Sequence, residues 1–209
     1  MTFPWLGIDP GRTGAALLLS EHRRPLVLYC WRDRQQFSKG VYEVTVVTDE
    51  HQRREVVQDL HGVGLLLEAS VARVLEIPTW GIAVEAPYVG RSARTGLIVA
   101  YQTGLIMGPL ESRCRCERVY PGASTWRARL LGLPRQTKRD AAKAASLLMM
   151  PRRLPGLEGL LQRASGLLGV AREDLDHVTD AAGIAEYGFL FGTPKETKKH
   201  GRRTRKAHE

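Results

Sequence analysis

The chain has 209 residues, a formal net charge of +9 and a pI near 9.8, with 43% hydrophobic and 25% charged residues. That length buries a full core and is read most simply as one domain, and the balance excludes a chain too polar to fold. No apolar run approaches the ~20 residues of a membrane-spanning helix, which argues against a membrane protein, and the basic excess favours an anionic partner. Cys30, Cys114 and Cys116 are odd in number. The last two stand one residue short of a CxxC, with no second pair to complete a zinc site. Reduced thiols are expected, and with no signal-like segment ahead of the first strand the expected location is the cytoplasm.

Trp5 to Ile8 and Gly14 to Leu19 are predicted strands joined by the Gly-rich turn Asp9-Pro10-Gly11-Arg12-Thr13-Gly14. Pro25 to Trp31 is a third, and short connections between the three predict an antiparallel meander. Val41 to Val47 alternates weakly and either extends the sheet or forms a flap. From His51 to Leu75, Val56, Val57, Leu60, Val63, Leu67, Val71 and Val74 recur at helical spacing, with Pro78 marking the exit. Gly81 to Glu85 is short and apolar, the pattern of a central strand buried on both faces. Thr95 to Met107 predicts a helix, Arg118 to Tyr120 a strand and Ser124 to Leu131 a short helix. A longer helix runs from Lys138 to Met150, with Thr137 and Asp140 spaced like a capping box and Pro151 as its stop. Residues 151–172 are broken by Pro and Gly and read as an excursion, and Glu173 to Phe189 is the last helix. Lys195 to Glu209 has almost no apolar residues and reads as a disordered basic tail. The sum is a mixed α/β domain, one sheet between helices, without internal repeats.

Four side chains far apart in the chain are read together. Asp9 in Gly7-Ile8-Asp9-Pro10-Gly11 and Glu85 in Val84-Glu85-Ala86-Pro87-Tyr88 each follow an apolar strand-like run, and His177 and Asp180 stand three residues apart in His177-Val178-Thr179-Asp180-Ala181. A carboxylate ending a buried strand is costly unless a cation meets it. Three acids brought together repel one another unless a divalent metal stands between them. In a basic chain this points to metal-dependent phosphodiester chemistry. Each motif also has an ordinary explanation. Asp-Pro-Gly after a strand is a common turn, and a salt-bridged structural acid is the alternative for Glu85. Asp176 shares a helix face with Asp180 as His177 does, and an acidic first turn favours the helix dipole. Spacing alone does not choose between Asp176 and His177.

Together these motifs resemble the RuvC-type Holliday-junction resolvases of the RNase H-like (retroviral-integrase-like) superfamily. The matching pieces are LGIDPGRTGAAL, VEAPY and HVTDAAGIAEYG, with PGASTWRARLLGLPRQTKRDAAKAAS as the DNA-facing segment, over residues 5–150 and 173–190. The resemblance implies a five-stranded mixed sheet, its first three strands antiparallel, flanked by helices in a nuclease domain over residues 1–192, with a basic tail over 193–209. It also implies a homodimer and two Mg²⁺ or Mn²⁺ ions held by Asp9, Glu85, His177 and Asp180, with Asp9 bridging. Such a site hydrolyses phosphodiesters by the two-metal route, and an imidazole ligand suits Mn²⁺ better than Mg²⁺. Its product is a pair of nicks that resolves a four-way DNA junction, whose two-fold symmetry matches a symmetric dimer.

Tyr88 fills the place of an aromatic that wedges against bases at the crossover, with packing on the protein as its alternative. The helix starting at Lys138 and Arg139 is expected to cradle a phosphate. Arg127, Arg129 and Arg135 extend that surface, and Arg91 and Arg94 flank the loop after Tyr88. Leu97, Ile98, Tyr101, Leu105 and Ile106 are the expected dimer face, with core packing as the rival role. The Val41–Val47 segment, residues 151–172 and the tail exceed the compact bacterial pattern and point to a divergent, phage-borne type of member, working in the host cytoplasm. An actin-like ATPase or sugar kinase shares the Gly-Ile-Asp-x-Gly turn but needs two such halves, for which this chain is too short. An RNA-processing nuclease of the same superfamily and a non-catalytic junction-binding protein stand as alternatives.

Overall fold

Apolar strands at the start of the chain build the centre of the molecule, and the pleat then sorts every later element to one side or the other. The structure, a computed structural model, describes residues 3–33, 40–75, 80–87, 93–113 and 117–192. β1 (Trp5–Asp9), β2 (Thr13–Leu19) and β3 (Pro25–Asp33) form the expected antiparallel meander, and β4 (Val41–Thr48) and β5 (Gln52–Gln58) continue it antiparallel. On the other side of β1, β6 (Gly81–Val84) and the short β7 (Arg118–Val119) add in parallel. The strand order is β5-β4-β3-β2-β1-β6-β7. Its central β3-β2-β1-β6-β7 portion is the mixed, RNase H-like arrangement expected. Among the described residues the sheet has seven strands rather than the five expected, because the β4–β5 hairpin widens it rather than forming a flap.

Alternation along β1 sends Leu6 and Ile8 to one face and Trp5, Gly7 and Asp9 to the other. Leu6, Ile8, Ala16, Leu18, Tyr29 and Val44 pack on α1 (Asp59–Val74) and α2 (Ala93–Arg113) through Val63, Leu67, Ile106 and Leu110. Trp5, Leu17, Leu28 and Ala83 pack under α3 (Ala123–Leu131), α4 (Arg139–Arg153), α5 (Leu157–Leu168) and α6 (Asp176–Phe191). Gly7 is where α6 crosses β1. A Cβ there would run into the backbone at Ala181 and Ala185, so the absence of a side chain lets the helix lie directly on the strand.

Several boundaries differ from expectation for identifiable reasons. The helical periodicity from His51 was misleading: residues 52–58 are strand, turned back on β4 by Thr48 and His51. Asp59, at φ 50°, switches the chain into α1, its carboxylate accepting the Gly62 N–H. Val56 and Val74, counted in that helical stripe, are exposed. Residues 157–168 form a full helix whose Leu157, Leu160, Leu161 and Ala164 are buried, and Gly156 and Gly169 bound it in left-handed backbone. Pro151 does not stop α4. The Leu147 carbonyl that loses its helical N–H partner accepts the Arg172 guanidinium at 3.2 Å instead, and the helix runs on to Arg153. The expected capping box is absent: Lys138 is the N-cap residue without a side-chain cap bond, and the Thr137 hydroxyl donates to the Pro134 carbonyl at 2.6 Å. Among the described residues no helix is long and apolar enough to cross a membrane.

Candidate active site

The pleat and the parallel register fix where the acids fall. Ile8 pairs with Val84, so Asp9 and Glu85 leave neighbouring strand ends side by side, and the Glu85 N–H donates to the Ile8 carbonyl at 3.0 Å. Both follow the α6-facing positions of their strands (Gly7 and Ala83), so both carboxylates rise on the side covered by α6. Asp180 is in the second turn of α6, one residue before the Ala181 carbonyl that overlies Gly7. Carboxylate oxygens of Asp9, Glu85 and Asp180 lie within 4.8 Å of one another. The turn carrying Asp9 is braced from β3: the buried Trp31 indole donates to the Gly11 carbonyl at 2.9 Å, and Arg12 pairs with Asp33.

Gathering three acids raises the cost of ionising each. Asp9 is held well above the usual carboxylate range, first by loss of water and then by the charges of Glu85 and Asp180. Glu85 is pushed up to about 7, again by burial and then by Asp180. Asp180, only 5% exposed, is raised by burial against the opposing pull of Arg127. Arg127 Nη2 reaches Asp180 Oδ2 at 2.5 Å, whereas Asp180 Oδ1 is buried with no hydrogen-bond partner. An orphaned carboxylate oxygen beside two more acids is the donor set of a hard divalent cation. The residues therefore fit Mg²⁺ or Mn²⁺.

His177 lines the same cleft, of about 750 Å³, but its ring nitrogens are not part of the three-acid cluster. It stands beside Asp176, with Nδ1 3.9 Å from the carboxylate. Asp176 is paired with Lys143 of α4, and its pKa is lowered, first by the neighbouring His177 ring and then by Lys143. Lys143 escaped the sequence reading. Its signal was available, since Arg139 and Lys143 are four apart on α4 and both line the cleft.

A second hollow of about 560 Å³ shares Glu85, Arg127 and Arg139 with the first and adds Arg135 and Thr137. Of the predicted DNA contacts, Arg127, Arg135 and Arg139 line these hollows, and Lys138 is exposed at the start of α4. Arg129 does not join them. It turns away over the Tyr187 and Phe191 rings. Arg94 lies in the first turn of α2 beside Leu97, Ile98 and Tyr101. Tyr88, Arg91, Cys114, Cys116 and the 193–209 tail lie outside the described residues.

No family model matches the sequence, and no curated protein matches it. Among solved structures the chain is similar to T. thermophilus RuvC in complex with Holliday junction substrate, at 16% identity and a TM-score of 0.37, over 91% of this chain and 97% of that one. A likeness at that level carries no argument about activity.

Proposed function

We propose that the chain is a metal-dependent, structure-selective DNA endonuclease that resolves four-way junctions by paired nicks. The observation that carries this reading is the cluster of Asp9, Glu85 and Asp180 at the floor of an open cleft whose wall is basic. Asp9, Glu85 and Asp180, with His177 at the margin, would hold Mg²⁺ or Mn²⁺, two per site in the expected arrangement. A divalent pair of this kind activates water, neutralises the phosphate and stabilises the leaving oxygen when bound.

The chain's own residues divide the remaining work. Asp9 feels the charges of both Glu85 and Asp180 and would be the ligand shared across the site. Lys143 and Asp176 hold the first turn of α6 against α4, which fixes the direction of His177 and Asp180. Arg135, Lys138 and Arg139 stand at the rim, where guanidinium forks take phosphate oxygens in pairs. Those contacts orient the backbone without reading bases. A homodimer is supported by the outer face of α2, where Leu97 is 71% and Tyr101 68% exposed while Ile106 is buried against α1. Ile106 packs in the core with Leu105 against it, and the exposure of Leu97, Ile98 and Tyr101 supports a partner-facing role for that side of the helix.

The test is one gel series. A labelled four-way junction, a linear duplex and a structured RNA are incubated with Mg²⁺, Mn²⁺ or EDTA. The reading expects symmetric nicks on the junction alone, in either metal and not in EDTA. Cleavage of the RNA in place of the junction would move the substrate class, and binding without cleavage in both metals would leave a junction-binding protein.

A further inference from the structure

Three Arg–carboxylate contacts in this protein can be compared directly. Arg153 meets the fully buried Glu186 through two atoms, Nε to Oε2 and Nη2 to Oε1, each at 3.0 Å, and Arg23 joins the same carboxylate. Arg172 meets Glu158 the same way, at 2.9 and 2.7 Å. Both are fork-to-fork pairs, the geometry that repays desolvation of the two charges. Arg127 and Asp180 are different. Their side chains are 14% and 7% exposed, yet they meet through one leg only, at 2.5 Å. The Arg127 Nε and the Asp180 Oδ1 are both buried without a partner. A pair this dry is left half-satisfied, and its two orphaned atoms are open to other partners.

Arg127 has a second contact besides Asp180. Its guanidinium lies over the Trp126 ring, 4.9 Å from the centroid. Trp126 itself is fully buried, wedged where α3 meets Gly183 of α6, and a Cβ at Gly183 would collide with it. The indole is thus a fixed plate that holds the guanidinium by a cation–π contact, one that does not depend on Asp180. Arg127 also lies at the junction of the two hollows, lining the acid cleft and the basic groove together.

We propose that Arg127 is an exchangeable counterion: it neutralises the acid cluster on the Asp180 side while divalent metal is absent, and it releases Asp180 when metal is loaded. The inference rests on the metal-site reading above. It adds that guanidinium and metal compete for one carboxylate, so that loading frees a cation at the groove for the incoming phosphate backbone.

The experiment measures Mn²⁺ binding to the full chain without DNA, with free Mn²⁺ counted by EPR, for the parent, Arg127→Gln and Arg127→Lys. Removing a positive charge a few ångströms from the ion, at an effective dielectric of about 20, is expected to tighten Mn²⁺ binding at the competing position by about tenfold or more. Arg127→Lys should fall between the two. In EDTA the Gln variant should melt below the parent and gain more from added Mn²⁺. Parent binding that is matched or exceeded in weakness by a folded Gln variant overturns the counterion role and leaves the metal site standing. A parent that binds no Mn²⁺ overturns the site itself, and this inference with it. Should the Gln variant fail to fold in either buffer, the unmutated protein decides. Its Arg127 guanidinium N–H resonance, assigned by its loss in Arg127→Lys, must shift or broaden as Mg²⁺ is added, and an unmoved resonance contradicts the exchange.

Discussion

Glu85 ends a buried strand beside two other acids, and that position has a measurable consequence for stability. Its folded pKa, pushed up to about 7 by burial and by Asp180, lies above the ordinary 4.5. The native state therefore holds more protons than the unfolded chain between those values, and metal-free stability falls as pH rises through that window. Glu85→Gln removes the charge and the fall. In EDTA at pH 8 the variant is expected to be more stable than the parent by about 1–2 kcal/mol, with the difference vanishing near pH 4. Urea unfolding at both pH values checks this, and equal stabilities at pH 8 would contradict it. A second residue-scale prediction concerns α6. Asp176 and His177 both line the cleft, but Asp176 is already paired with Lys143. His177→Ala should lose most junction cleavage and His177→Asp recover it in Mg²⁺, while Asp176→Asn loses severalfold at most. A dead Asp176→Asn beside an active His177→Ala would reverse the assignment.

At the scale of elements, the site depends on α6 lying directly on β1. Gly7→Ala puts a methyl into the Ala181 and Ala185 backbone, and overpacking of this kind costs about 1–3 kcal/mol. The same shift would carry Asp180 away from Asp9, so metal affinity should fall along with stability. Thermal melts with and without Mn²⁺ test the two effects together, and a variant that keeps its metal-induced gain in melting temperature would contradict the account. The elements carrying the acids were legible in the sequence because apolar runs, a Gly-rich turn and a short buried strand announce them. Those that were misread share a physical cause. β5 is stabilised at the sheet edge by ion pairs, Arg53 with Glu55 and Arg54 with Glu43, which leave no alternating apolar pattern. α5 hides behind flanking Pro and Gly, and the Pro151 boundary is moved by Arg172, a residue twenty-one positions away that no local rule connects to Leu147. For the site, the three acids could be picked out one by one, but their meeting with Arg127, and that of Lys143 with Asp176, is tertiary and left no spacing to read.

On the scale of the whole molecule, the account needs two copies and a polyanion. Leu97, Ile98 and Tyr101 form an exposed apolar strip on α2. Tyr101→Asp is expected to shift the protein from dimer to monomer in light scattering and to abolish paired nicking while single nicks persist. An unchanged dimer would place the interface elsewhere. Because each lost phosphate contact takes about 0.9 from the slope of log K against log salt, removing Arg135 and Lys138 together should lower that slope by nearly two. Duplex and junction binding should weaken alike.

The central claim, that the acid cluster cuts a DNA junction with metal, is tested most directly by Asp9→Asn on a symmetric four-way junction in Mg²⁺. Junction binding, followed by gel shift in EDTA, should be as tight as the parent's or tighter, because the variant removes a negative charge from a cleft that receives phosphate. Cleavage should disappear, with no nick at the positions the parent cuts on opposing strands. An Asp9→Asn protein that binds the junction and still nicks it at the parent's rate would show that the chemistry resides elsewhere.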